Sequence, residues 1–197
     1  MKNPYQSVVD FEQSLAEFTG SPYAVAVDCC TNALFLCCYY LKVQEVTIPK
    51  HTYVSVPCSI IQSGGKVKFE QNDWLGAYQL KPYPIYDSAC QISKNMYIPG
   101  TYQCLSFGIN KILQIGRGGM ILTDNVDAVN WFKLARYSGR KEIPYLEDNF
   151  TMLGWNMILT PEQATRGLSL LSHLPEKNII SKNKYPDLSK FEVYNGN

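Results

Sequence analysis

Lys111 stands on a glycine-bearing loop between two apolar runs, in the stretch Leu105-Ser106-Phe107-Gly108-Ile109-Asn110-Lys111, with Gly116-Arg117-Gly118-Gly119 leading into a second strand signal over 120–123. A lysine held there is either one more solvated charge or an amine nucleophile, and its position alone does not choose between them. Pro84-Ile85-Tyr86-Asp87-Ser88-Ala89 reads as a short strand that ends in a carboxylate. Strand ends in α/β sheets line the ligand crevice, so Asp87 is placed either for chemistry or to cap the next turn. Cys29-Cys30-Thr31-Asn32 carries an apolar run straight into a helical pattern. Unpaired N–H groups and the helix dipole make such a turn an anion site, unless it is a plain cap. Taken singly, Tyr53 reads as an interior aromatic, Ser106 as a loop cap and Asn156 as an ordinary turn residue.

The elements that must position these residues follow from periodicity. Ser7 is placed to cap a helix with apolar Val8, Phe11, Leu15 and Phe18, which ends at Gly20. Residues 23–28 form a strand and 33–41 a helix, with a further strand over 45–49. The apolar run 54–61 is helical if the helix starts late enough to keep Pro57 in its first turn. Gly64-Gly65 turns the chain into a strand over 66–70, and the stretch from Glu70 to Tyr83 is irregular. Asp124 and Asn125 start a helix bearing Val129, Phe132 and Leu134. Thr160-Pro161-Glu162-Gln163 is a capping signature for a last helix running to about residue 173. Strands alternating with helical patterns predict an α/β fold.

Composition removes several function classes. The chain has 197 residues, a net charge of +1 and no charge block, so nothing electrostatic points to nucleic acid or to a membrane surface. It has no apolar run long enough to span a bilayer and no signal-peptide pattern, and the expected compartment is the cytoplasm. Seven cysteines, at 29, 30, 37, 38, 58, 90 and 104, include two adjacent pairs and no Cys-x-x-Cys spacing. They read as reduced and mostly buried. With only two histidines, His51 and His173, no metal centre is expected.

The pattern Ser-Phe-x-x-x-Lys, followed by Gly-x-Gly-Gly and a strand, resembles the cofactor-lysine segment of the DegT/DnrJ/EryC1/StrS sugar aminotransferases, pyridoxal-phosphate enzymes of fold type I. Four further stretches match in the same chain order, so the resemblance runs from about residue 11 to about residue 174. It implies a three-layer α/β/α sandwich around a mostly parallel sheet, with pyridoxal 5'-phosphate linked to Lys111. Cys30, Thr31, Asn32 and Ser106 would hold the phosphate. The backbone would carry most of that contact, since Cys29 and Cys30 replace the commoner serine and glycine. Tyr53 and Ala89 would lie on opposite faces of the pyridine ring, and Asp87 would pair with its protonated nitrogen. Asn156 would reach the phosphate in the neighbouring subunit of a homodimer. The family's glutamine or histidine three positions after the aspartate is replaced here by Cys90, with Gln91 one step further, and either can take its place.

The resemblance also implies losses. A crossover unit of full-length relatives is absent between Glu70 and Tyr83, so residues 1–174 are expected to form a shortened large domain. Residues 175–197 are expected to be a polar tail in place of the small C-terminal domain. The implied activity is transfer of an amino group from a donor such as glutamate to a keto-sugar, with a non-catalytic scaffold or partner subunit as the alternative. The family's sugar dehydratases replace the lysine by histidine, and Lys111 argues against that reaction. Gly116-Arg117-Gly118-Gly119 is no dinucleotide fingerprint, which argues against an oxidoreductase.

Overall fold

The computed structural model describes residues 3–180 and 184–194. The chain runs α1 (Gln6–Thr19), β1 (Tyr23–Val27), α2 (Cys30–Tyr40), β2 (Glu45–Pro49), α3 (Ser55–Gln62), β3 (Lys66–Glu70), β4 (Tyr78–Leu80), β5 (Ile85–Asp87), β6 (Tyr102–Ser106), β7 (Gly119–Thr123), α4 (Val126–Ala135) and α5 (Pro161–Leu171). Gly20 ends α1 in the left-handed conformation, at φ 76°. Thr160 and Gln163 form the expected capping box of α5. Ser7 does not cap α1; its hydroxyl donates to the Pro161 carbonyl at 3.2 Å and ties α1 to α5.

Side chains alternate across the strands and feed two separate cores. Ala24, Ala26, Leu105, Met120 and Leu122 pack with α1 and α5, while Val25, Val27, Cys104 and Ile121 pack with α2 and α4. The result is a sheet between two helical layers, the three-layer architecture expected.

The sheet is mixed: most of its strands run one way, as expected, but few of them lie side by side. Five strands pair in the order β1-β7-β6-β5-β4, and only β5 and β6 are parallel neighbours among them. A parallel pair, β2 and β3, continues this sheet through an antiparallel bridge between Thr47 and Lys81, whose amides exchange bonds of 2.8 and 3.0 Å. All strands but β4 and β7 therefore run the same way, and these two make most of the neighbour contacts antiparallel. The strand β4 lies in the stretch that reads as irregular. A three-residue strand carries too little alternation to announce itself, and it spans the gap between β5 and β2 where a parallel crossover would need many more residues.

Residues expected to form a tail pack on the body. The Ile180 amide donates to the Cys90 carbonyl at 2.9 Å, and the Ile92 amide donates to the Asn178 carbonyl at 3.2 Å. Further on, Lys50 pairs with Asp187 at 3.0 Å, the Leu188 amide donates to the Lys50 carbonyl at 2.8 Å, and Leu188 is buried.

Candidate active site

A cleft of about 500 Å³ opens where the ends of β1, β5 and β6 meet the first turns of α2 and α3, a volume typical of small-molecule sites. One end of it is the turn Cys29-Cys30-Thr31. No side chain caps α2, which begins at Cys30, three residues earlier than its pattern predicts. The open first turn leaves a positive dipole end facing the cleft. The turn rests directly on β7: a Cβ on Gly119 would lie 2.5 Å from the Cys29 carbonyl carbon and 2.6 Å from the Cys30 nitrogen. Only glycine permits that approach. Thr31 donates to the Ser55 hydroxyl at 2.8 Å, so α2 and α3 present hydroxyls together, and Ser106 lines the same end.

Lys111 reaches the cleft because its loop is anchored on the other side of the sheet. Phe107, Leu113 and Ile115 are buried in the core shared with α1 and α5, and the Phe107 and Gly116 amides bond across the loop at 2.9 and 3.1 Å. These anchors leave Lys111 half-buried in the cleft wall, its Nζ donating to Cys90 Sγ at 3.6 Å. Cys90, not Gln91, therefore faces the cleft; Gln91 bridges to Ile179 instead.

Asp87 forms the floor, 5 % exposed. Burial pushes its carboxyl above the usual aspartate value, while the Ala89 amide at 3.0 Å, the Tyr78 hydroxyl and the Lys111 charge pull it back toward the ionised form. Burial also holds the Cys30 and Cys104 thiols nearby well above their usual range, so both are neutral thiols. Tyr53 stands at the mouth, 56 % exposed rather than interior, and Ala89 lines the cleft with it.

The structure thus brings Cys30, Thr31, Tyr53, Asp87, Ala89, Ser106 and Lys111 around one cleft. It does not bring Asn32 or Asn156. The Asn32 amide donates to Asp28 at 2.7 Å, and Asp28 in turn pairs with Arg117 at 2.8 Å, so the side chain serves the turn instead of facing the cleft. Asn156 is exposed and bridges to Tyr137, outside the cleft of its own chain. Several cleft residues have no signal in the sequence. Tyr185 stacks on Trp74 with ring centroids 6.0 Å apart, meets the Tyr53 ring edge-on at 6.3 Å, and enters with Lys184 from the C-terminal stretch. An aromatic in a polar segment gives no hint of that placement.

The profile of the DegT/DnrJ/EryC1/StrS aminotransferase family matches residues 1–75 and 96–186. The chain belongs to this family. Among relatives of known role, it is 25 % identical over 214 residues to GDP-perosamine synthase of Caulobacter vibrioides, covering 86 % of this chain and 57 % of that protein. Among solved structures, AtS13 from Actinomadura melliaura superposes with a TM-score of 0.75 at 18 % identity, over 85 % of this chain and 60 % of that one. PseC of Helicobacter pylori, an aminotransferase involved in pseudaminic acid biosynthesis, gives 0.72 at 18 %, over 89 % and 64 %. These structures share the fold. The chain spans 57 % of the length of its curated relative. The family match includes Thr31, Tyr53, Ser106, Lys111 and Asn156 and omits 76–95, the stretch that carries β4, β5 and Asp87. The position of Asp87 in the site is therefore given by the fold and not by the family pattern.

The side chains present fit pyridoxal 5'-phosphate. An uncapped helix start with hydroxyls beside it suits a phosphate, a buried carboxylate suits a ring nitrogen, and an amine stands in the wall between them.

Proposed function

We propose that the chain is a pyridoxal-phosphate aminotransferase that moves an amino group from an amino acid donor, such as glutamate, to a keto-sugar carried on a nucleotide. One observation carries the reading: a half-buried amine, a buried carboxylate and an open helix N-terminus line a single cleft, in a chain of this family. When bound, the cofactor supplies an electron sink for the carbon that loses its proton. The first turn of α2, with Thr31 and Ser106, binds and orients the phosphate. Asp87 would hold a proton on the ring nitrogen, and Tyr53 and Ala89 would hold the ring. Lys111 would hold the cofactor by its amine and would take the proton from the donor's α-carbon.

The test is spectroscopic. Protein loaded with pyridoxal phosphate is expected to absorb in the visible, and glutamate is expected to bleach that band as the amine stays on the cofactor. Loading without any conversion by amino acids would overturn the enzyme reading and leave a scaffold. GDP-perosamine synthase names a nucleotide-sugar product, which supports a nucleotide sugar as the acceptor class here.

We further propose a cytoplasmic homodimer in which Asn156 serves the partner's cleft. Asn156 is exposed, and near it in sequence Leu146 and Leu153 are 97 % and 93 % exposed, apolar surface of a kind that a partner covers. Sedimentation is expected to give a dimer. Mixing Asn156→Ala chains with Lys111→Ala chains is expected to restore about a quarter of wild-type activity, because half the molecules in a random mixture are hybrids with one intact site of two. A stable monomer with full cofactor occupancy, or no recovery on mixing, would overturn the sharing.

A further inference from the structure

We propose that β4 supplies a positioning residue, Tyr78, whose hydroxyl, backed by Thr52, fixes the Asp87 carboxyl at the floor of the cleft. The role rests on the aminotransferase reading only in its consequence for catalysis; the pairing of β4 with β5 that underlies it is a property of the chain.

Tyr78 and Asp87 are directly opposed in the antiparallel β4–β5 register. Opposed residues point to the same face of a sheet, with Cβ atoms about 5 Å apart, so the ring lies alongside the carboxyl. Both side chains are buried, at 5 % each. The far side of the Tyr78 hydroxyl meets Thr52 Oγ1 at 2.5 Å, and Thr52 is wholly buried in the loop that also carries Tyr53. A phenol has one proton to give. With the Thr52 hydroxyl as donor to the Tyr78 oxygen, the Tyr78 proton is free for Asp87, and all three groups are satisfied.

The charges that face Asp87 from the packed elements agree with this direction. Lys111, from the β6–β7 loop, favours the carboxylate, while Cys30 of α2 and Cys104 of β6 are held as neutral thiols. Tyr78 itself is pushed well above its usual value, first by burial and then by the Asp87 charge, so it stays a donor. Without the Tyr78 hydroxyl, the buried acid would keep the Ala89 amide as its hydrogen-bond donor, with the Lys111 charge nearby.

The experiment titrates Asp87 in cofactor-free protein by carbon-13 NMR of labelled aspartate, with Asp87→Asn identifying the resonance. In Tyr78→Phe the proton affinity of Asp87 is expected to rise about tenfold, as suits loss of one hydrogen bond to a charged group. Thr52→Val is expected to shift it the same way by less. Tyr78→Phe keeps the ring and its packing, so a purely structural role would leave the midpoint where it was. An unmoved midpoint in folded Tyr78→Phe overturns the proposal; if that variant does not fold, an unmoved midpoint in Thr52→Val does so. Failure of the wild-type chain to take up pyridoxal phosphate would sink the aminotransferase reading and leave this titration standing.

Discussion

Lys111→Ala is expected to abolish the covalent attachment of pyridoxal phosphate and to lower the amino-donor half-reaction by about 10⁴-fold or more, because it removes both the attaching amine and the proton carrier. Borohydride reduction of the wild-type chain, followed by peptide mapping, should place a pyridoxyl group on Lys111 and none on the variant. Among the described residues the cleft offers one competing amine, since Lys184 also lines it. Lys184 is exposed and comes from the C-terminal stretch, whereas Lys111 is half-buried, held by a loop whose Phe107 and Leu113 are locked in the core, and close enough for its charge to act on Asp87. An adduct on Lys184, or one that survives intact in Lys111→Ala, would overturn the assignment. Partial recovery of the half-reaction by small added amines would identify the missing group as an amine and not as a packing element.

The residues that the sequence made legible are those carried by long or strongly marked segments. The turn after β1 precedes an eleven-residue helix, and Lys111 sits between two five-residue strands. Both settings have enough alternation or periodicity to be recognised and enough local chemistry to match a family. What stayed hidden depends on pairing between distant segments. Tyr78 owes its role to Asp87, nine positions on, and to Thr52, twenty-six positions back. No local pattern in a three-residue strand encodes either contact. The same holds for the C-terminal stretch. Its composition is polar, yet Leu188 is buried and the Asp187 carboxylate, paired with Lys50 and bonded to Ser189, is pulled down to about 2. The mixed sheet has the same origin. A parallel sheet is the default for alternating strands and helices, and nothing local in β4 or β7 announces that these two strands run the other way.

Asp87→Asn is expected to separate cofactor binding from cofactor chemistry. The phosphate turn, Ser106 and Lys111 are untouched, so the variant should load and give a borohydride-stable adduct. The half-reaction should fall by about 10²–10³-fold, roughly 3–4 kcal/mol, the size found when one preorganised electrostatic partner is removed from a buried site. An amide of the same shape donates or accepts a hydrogen bond, but it carries no charge to hold the proton on the ring nitrogen. The pH dependence gives a second readout with a definite sign. Function needs the carboxylate, and burial places its titration above the ordinary aspartate value. In the wild-type chain, uptake of pyridoxal phosphate should therefore weaken as pH drops through that raised value, because the acid of the empty cleft becomes neutral and no longer pairs with a protonated ring nitrogen. In Asp87→Asn this acid limb should be absent, because the titrating group is gone. A variant within a few-fold of wild type, or one that keeps the same acid limb, would mean that another acid faces the ring nitrogen and that the end of β5 serves the fold alone.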